Sequence, residues 1–167
     1  GRNPDAAREC AEYALGAGCA HVEVAATVAA AAADADVICT VTGSPTAILF
    51  GRDVRKGTHL CLVGASIPSS REVDDDLVTV SRYFVDYRGS ALAQAGELLE
   101  AIKAGRVTEA HILGEIGDVL SGTVHGRLAD DDVTVYKSLG VAAQDLVSAL
   151  LVYRHALERG LGTVAEL

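Results

Sequence analysis

Residues 58–74 of the chain, THLCLVGASIPSSREVD, decide how the rest of the sequence is interpreted. The apolar run at residues 60–63 ends in Gly64 and is typical of a strand buried inside a parallel sheet. Open α/β sheets bind their ligands just beyond the carboxyl ends of such strands. We therefore expect the residues from Gly64 onward to lie at a binding site.

Strand-like and helix-like segments alternate along the rest of the chain. Short apolar runs predict strands at residues 21–24, 36–41, 59–63, 83–85 and, as a brief extended piece, 134–137. Capping residues and helical spacing predict helices at residues 4–15, 28–33, 74–78, 90–104, 115–120 and 142–159. This alternation is typical of βαβ units, so we expect an α/β fold with a Rossmann-like parallel sheet and a long C-terminal helix.

One part of such a sheet is absent from the sequence. No G-x-G-x-x-G motif follows a predicted strand, so the sheet is expected to lack its first βα unit, which places a pyrophosphate at a helix N-terminus. In the usual strand order that unit supplies the central strand. The chain also opens on GRNP and contains no methionine. We therefore expect a fragment that does not fold well alone in this arrangement.

Composition excludes several classes of protein. Half of the 167 residues are apolar, which is typical of a globular domain. The net charge of −9 argues against a nucleic-acid partner, because phosphates require a basic surface. No run reaches the roughly 18 apolar residues of a membrane span, so no membrane partner is expected. The histidines lack metal spacing, so no metal is expected.

The cysteines favour a reducing compartment. None of the four forms a C-x-x-C pair. We interpret them as buried, reduced thiols of a cytoplasmic protein rather than as disulfides or zinc ligands. They are Cys10, Cys19, Cys39 and Cys61.

Six segments, in order and spacing, resemble the ornithine cyclodeaminase/mu-crystallin family. They are GRNP (1–4), ADVICTVTGSPTAILFG (35–51), VGASIPSSREVDDDL (63–77), AQAGEL (93–98), GEIGDVLSG (114–122) and DDVTVYKSLGVAAQDL (131–146). The resemblance implies a partial NAD(P)-binding domain at residues 1–140. It also implies that residues 141–167 form a helix packing back on an N-terminal substrate and dimerisation domain that the sequence lacks. A homodimer through that absent domain would follow.

The same resemblance suggests a cofactor. Arg2 and Asn3 stand at the position where dinucleotide sites contact the adenosine ribose, and an arginine there suits a 2′-phosphate. NADPH is therefore the preferred cofactor, with NADH possible; Arg2 could also be a solvated residue at a helix start. Further cofactor contacts are expected from five residues that match the family at strand ends: Thr40, Val41, Val63, Lys137 and Ser138. Thr42 is expected to join them, although it is also a good turn residue.

Two residues are candidates for catalysis. Cyclodeaminases of the family carry an aspartate where this chain has Ser66, whereas ketimine reductases resembling mu-crystallin read G-A-S, as Gly64-Ala65-Ser66 does. Ser66 could also be a simple turn residue. Glu115 matches a family glutamate near the substrate and could orient or protonate an imine nitrogen, or it could be an exposed helix carboxylate.

The resemblance thus implies an oxidoreductase of the imine or ketimine reductase type. The expected reaction is reduction of a cyclic imino acid to an L-amino acid by NAD(P)H, within a larger enzyme. Two alternatives within the enzyme class are an amino-acid dehydrogenase and an ornithine cyclodeaminase-like enzyme. A third alternative is a non-catalytic, mu-crystallin-like module that binds a small ligand.

Overall fold

Five parallel strands form one sheet at the centre of the computed structural model, which describes residues 3–163 and 165. The strands are β1 (Val37–Thr40), β2 (His59–Leu62), β3 (Arg82–Val85), β4 (Ile112–Glu115) and β5 (Thr134–Lys137). Their order across the sheet is β1-β2-β5-β3-β4, and every neighbouring pair is parallel. The predicted α/β fold with a parallel sheet is confirmed.

Seven α-helices surround or follow the sheet in the described residues. They are α1 (Pro4–Gly16), α2 (Val28–Ala32), α3 (Asp75–Val80), α4 (Arg88–Gln94), α5 (Gly96–Lys103), α6 (Ile116–Leu120) and α7 (Ala142–Arg159). Several begin at a residue whose side chain caps the helix: Asn3 accepts from the Asp5 amide, Thr27 from the Ala30 amide and Asp74 from the Leu77 amide. Among the described residues, none of these helices is both long enough and apolar enough to cross a bilayer.

The core lies between one face of the sheet and helices α3 and α5. Leu60 and Leu62 of β2, Val85 of β3 and Leu98 of α5 have no exposed surface. The sheet is uninterrupted, because β5 fills its centre and pairs with β2 on one side and β3 on the other. The five described strands thus pair without a gap, although no strand followed by G-x-G-x-x-G is among them. The segment predicted as a brief extended piece, residues 134–137, is the middle strand.

Three other predictions need correction. Residues 21–24 do not form a strand, because they pair with none of the five strands of the described sheet. Residues 112–115 form β4, which the sequence analysis missed, and the predicted helix at 115–120 starts one residue later. The predicted helix at 90–104 is two helices broken at Ala95, whose ψ of 89° is not helical.

The break at Ala95 has a packing reason. A Cβ on Gly96 would collide with the Ser70 carbonyl and lie 2.9 Å from the Pro68 carbonyl. The start of α5 therefore presses directly on the loop that follows Gly64, and only glycine allows that approach.

The cysteines are also less buried than predicted. Cys10, Cys19 and Cys39 are exposed and Cys61 is half-buried, and all four are free thiols. Cys39 and Cys61 face each other across β1 and β2 on the side of the sheet away from α3 and α5, where the described residues leave the strands partly uncovered.

Helix α7 forms as predicted and ends at Gly160, whose φ of 63° is left-handed. Its apolar side chains are exposed in the described chain; Leu146 is 70% and Tyr153 61% accessible. That this helix packs on another domain stays a prediction.

Candidate functional site

The carboxyl ends of all five strands meet at one edge of the sheet. The pairing places Thr40, Leu62, Lys137, Val85 and Glu115 in a single row across it. The loops that follow these residues therefore share one surface, which is where open α/β sheets bind ligands. Three buried carboxylates hold these loops in place.

Glu72 ties the ends of β1 and β2 together. Its side chain has no exposed surface, and it accepts hydrogen bonds from the Thr40 hydroxyl (2.7 Å), the Thr42 amide (2.5 Å) and the Gly64 amide (2.9 Å). Burial by itself would raise the pKa of Glu72, but these donors together hold it below its ordinary value. Glu72 is thus an ionised buried group whose charge is matched by donors from both loops.

Gly64 is required by the same contact. A Cβ at this position would collide with the Thr42 backbone and with the Glu72 carboxylate. The turn after β2 can therefore approach the end of β1 only because residue 64 has no side chain.

Asp86 holds the loop after β5 in a similar way. Its Oδ2 accepts from the amides of Leu139 (2.6 Å) and Gly140 (2.7 Å), and its Oδ1 accepts from the Tyr87 amide (2.8 Å). Ser138 is also within 3.4 Å of Oδ2 through its hydroxyl. The predicted contact residue Ser138 therefore lies in a loop that is fixed by the carboxylate directly after β3.

Lys137 differs from its prediction as a side chain beside the cofactor. It has no exposed surface, and its ammonium donates to the Ala65 carbonyl instead of facing the open edge of the sheet. Glu97, on the first turn of α5, is equally buried, and its Oε1 lies 3.1 Å from the ammonium. The reason is register: Lys137 points to the same face as the core residues Leu62 and Val85.

The Glu97 carboxylate lies in surroundings that disfavour its charged form. Neither of its oxygens accepts a directed hydrogen bond within the described chain, so it meets Lys137 as a charge contact. Burial raises the pKa of Glu97, and the nearby ammonium offsets this only in part. Burial, and then the nearby Glu97 charge, raise the pKa of the buried Tyr83 phenol well above its ordinary value.

Glu115 has a structural role at the start of α6. It is the N-cap of α6, and it exchanges capping hydrogen bonds with Asp118. Its Oε1 also accepts from the Arg88 amide at 2.9 Å, at the start of α4. The carboxylate therefore lies at the ligand edge, but one strand beyond β3, on the far side of β3 from Lys137.

The remaining predicted residues lie on or near the open edge. Ser66 and Val63 are exposed past β2, and Val41 is 71% accessible past β1. Thr40 is buried and donates to Glu72, and Thr42 is half-buried in the loop after β1. Asn3 caps α1 through its side chain, and Arg2 lies outside the described residues.

The exposed apolar side chains at this edge suit a flat organic ligand. Val41, Val63 and Ile67 each expose more than two fifths of their surface at adjacent loops. A surface cavity of about 480 Å³ lies elsewhere and is lined by residues that include the ion pair Arg71–Asp75. No three histidine, cysteine or carboxylate side chains of the described residues group as metal ligands would.

Sequence reasoning did not single out Glu72, Asp86 or Glu97. Each is a carboxylate placed beside an apolar segment, in SREVD, YFVDY and AGELL respectively. An acidic residue next to a buried strand or on an apolar helix face is a usable signal, because a charge there needs partners.

A family profile and known proteins match this chain. The profile of the ornithine cyclodeaminase/mu-crystallin family matches residues 1–160. Ketimine reductase mu-crystallin of Mus musculus is 42% identical over 132 residues, which cover 79% of this chain and 39% of that protein.

Two solved structures share the fold. Thermococcus litoralis Delta(1)-pyrroline-2-carboxylate reductase, in complex with NADH and L-proline, superposes with a TM-score of 0.89 at 30% identity, covering 98% of this chain and 50% of that one. An archaeal alanine dehydrogenase dimer with bound NAD has a TM-score of 0.84 at 28% identity, with 98% and 50% coverage. The chain thus spans half or less of the length of these relatives, and it belongs to the ornithine cyclodeaminase/mu-crystallin family.

Proposed function

We propose that this chain is the cofactor-binding part of an NAD(P)H-dependent reductase that converts a cyclic imino acid to an L-amino acid. The observation that carries the proposal is the turn at residues 64–66. It lies at the carboxyl edge of β2, where only Ser66 is exposed. Glu72 accepts from the Gly64 amide and Lys137 donates to the Ala65 carbonyl, and the turn presents a serine instead of a carboxylate.

Imine reduction requires the turn at residues 64–66 mainly to position the reactants. A reduced nicotinamide supplies a hydride to the imine carbon, and the nitrogen takes a proton, so no ammonia has to leave. Ser66 offers a hydroxyl at the edge and no negative charge that would stabilise a departing ammonium. Val41, Val63 and Ile67 supply the apolar surface against which the cofactor would lie.

The roles of individual residues remain proposals. Thr40, Val41, Thr42, Val63 and Ser138 are proposed to shape the cofactor site, Lys137 through the contact described above, and Asn3 as the cap that sets the start of α1. Ser66 is proposed to touch the substrate or the nicotinamide. Glu115 is the candidate that would orient or protonate the imine nitrogen. In the structure its carboxylate also accepts hydrogen bonds from backbone amides at the starts of α6 and α4.

NADPH is the proposed physiological cofactor. The related reductase and dehydrogenase structures carry NADH and NAD, which supports a nicotinamide cofactor. The preference for a 2′-phosphate rests on Arg2 and the fork geometry of its guanidinium. NADH is the alternative cofactor.

The proposed organisation follows the family. Residues 1–140 would form part of the NAD(P)-binding domain, and residues 141–167 would return to a substrate and dimerisation domain, giving a homodimer. The archaeal relative is a dimer, and the exposed apolar side chains of α7 are suited to such packing. A cytoplasmic location is proposed from the free thiols.

The test is a substrate comparison with the natural full-length protein. Oxidation of NADPH with pyrroline- or piperideine-2-carboxylate is expected, whereas ornithine with catalytic NAD should yield no proline. Proline and ammonia from ornithine would instead show a cyclodeaminase.

An amino-acid dehydrogenase is the second candidate, favoured by the likeness to the archaeal alanine dehydrogenase. It predicts NADH oxidation with a 2-oxo acid only when ammonia is present. Binding of NADPH without turnover of any of these substrates would leave the non-catalytic ligand-binding module.

A further inference from the structure

We propose that Lys137 and Glu97 form a positioning pair, in which the buried ammonium holds the Ala65 carbonyl and so sets the orientation of the turn at residues 64–66. The inference rests on the proposed function and deepens it. Lys137 then acts on the reaction through Ala65 and is a positioning residue, with Glu97 as its counter-charge.

Burial argues that the pair is not present for stability alone. Both side chains are fully inaccessible, and taking two charges out of water is expensive. Replacing a buried ion pair by apolar side chains of similar volume is often neutral or stabilising. A chain selected only for a stable core would thus gain nothing from Lys137 and Glu97 over two apolar residues.

Lys137 contacts the turn at residues 64–66, which carries Ser66. Glu72 holds the Gly64 amide on one side of the turn, and Gly96 presses on the Ser70 and Pro68 carbonyls on the other. Ala65, between them, is fully buried and directs its carbonyl to the Lys137 ammonium. The segment at residues 64–70 is therefore restrained at three places, and only the middle restraint, at Ala65, depends on a buried ion pair.

Other titratable groups around the pair do not replace it. Tyr83 is buried near Glu97, but its hydroxyl makes no hydrogen bond within the described residues. Glu72 is occupied by three donors from the β1 and β2 loops. Removal of Lys137 would thus leave the Ala65 carbonyl without a donor in this part of the chain.

The experiment uses the natural full-length protein and three variants. Lys137→Met breaks the pair and leaves Glu97 buried alone. The double variant Lys137→Met/Glu97→Met removes both charges at similar volume. Lys103→Met, which disrupts the exposed pair with Glu100, is the matched control.

The thermal midpoint of the double variant should recover most of what the single variant loses. Its kcat for pyrroline-2-carboxylate should nevertheless stay roughly 10- to 100-fold below wild type, with a much smaller change in KM, since misplacement by about an ångström has costs of that order. Recovery of kcat to within about threefold of wild type would overturn the proposal. Lys103→Met should match wild type in every measurement.

A second measurement is independent of catalysis, so that failure of the proposed function can be told apart. Hydrogen exchange followed by mass spectrometry should show faster exchange at residues 64–67 in the double variant, with the β2 and β5 amides unchanged. Unchanged protection at 64–67 would overturn the positioning role even if the protein reduces no imine.

If the double variant does not fold, nitrogen-15 NMR of the lysine side chains in the wild-type protein tests the contact between Lys137 and the Ala65 carbonyl. The Lys137 ammonium should show slow proton exchange, as expected of a buried group bonded to a carbonyl. An ammonium in fast exchange with water would refute the contact.

Discussion

Glu72→Gln should destabilise the protein far more than its conservative chemistry suggests. Glutamine keeps one carbonyl oxygen and replaces the other with an amide donor. If the oxygen faces the Thr40 hydroxyl and the Gly64 amide, the Thr42 amide loses its acceptor inside a buried site, at a cost of about 1–3 kcal/mol. The two retained bonds also lose their charge assistance, at about 1 kcal/mol each. We expect the free energy of unfolding to fall by about 3–5 kcal/mol.

The pH dependence of this loss gives an internal check. Burial alone would raise the pKa of Glu72, but its donors hold the folded-state pKa below the ordinary, unfolded value. A depressed folded pKa means that the stabilisation is complete above the unfolded pKa and is lost as pH falls through the folded one. The difference between wild type and Glu72→Gln should therefore be largest near neutral pH and should shrink on acidification.

Urea unfolding across this pH range is the assay, with Glu9→Gln on the exposed surface of α1 as the matched control. The control should change the free energy of unfolding by less than about 0.5 kcal/mol. The reasoning fails if Glu72→Gln costs no more than the control, or if its cost is constant at every pH.

Three further substitutions test the site. Gly64→Ala should lower stability by about 1–3 kcal/mol because its Cβ meets the Thr42 backbone, whereas Gly43→Ala, with open space at its Cβ, should be near neutral in the same denaturation series. Asp86→Asn should cost about 1–3 kcal/mol, since one carbonyl oxygen cannot serve the amides on both sides of the carboxylate; wild-type stability in calorimetry would contradict this. Arg2→Asp should weaken NADPH binding about tenfold or more and NADH binding much less, and equal effects in titration calorimetry would remove the assignment.

The fold was largely predictable because local signals and the global fold agree. The local signals are the apolar run of β2, the capping side chains of Asn3, Thr27 and Asp74, and the helical spacing of apolar residues along the 18-residue helix α7. The errors lie where tertiary contacts decide. The break at Ala95 depends on the distant loop at 67–70, and β4, of sequence ILGE, has a glycine and a glutamate where a longer apolar run would indicate a strand.

The candidate site was predictable only in part. Strand ends marked Ser66 and Ser138 correctly as edge residues, because topology alone places them there. The carboxylates that fix the loops depend on donors 8 to 54 residues away in sequence, as for Glu72 with Gly64 and Asp86 with Gly140. The inward orientation of Lys137 follows from sheet register, which a strand of unknown neighbours does not reveal.

The central claim is that a hydride passes from a nicotinamide to an imine carbon at the edge formed by the turn at residues 64–66. The most direct measurement supplies the full-length protein with NADPH deuterated at the transferred C4 position and with pyrroline-2-carboxylate, and determines the product by mass spectrometry and chiral chromatography. The account predicts L-proline with a single deuterium at Cα. Unlabelled proline from pyrroline-2-carboxylate would contradict it. Formation of proline and ammonia from ornithine would also contradict it.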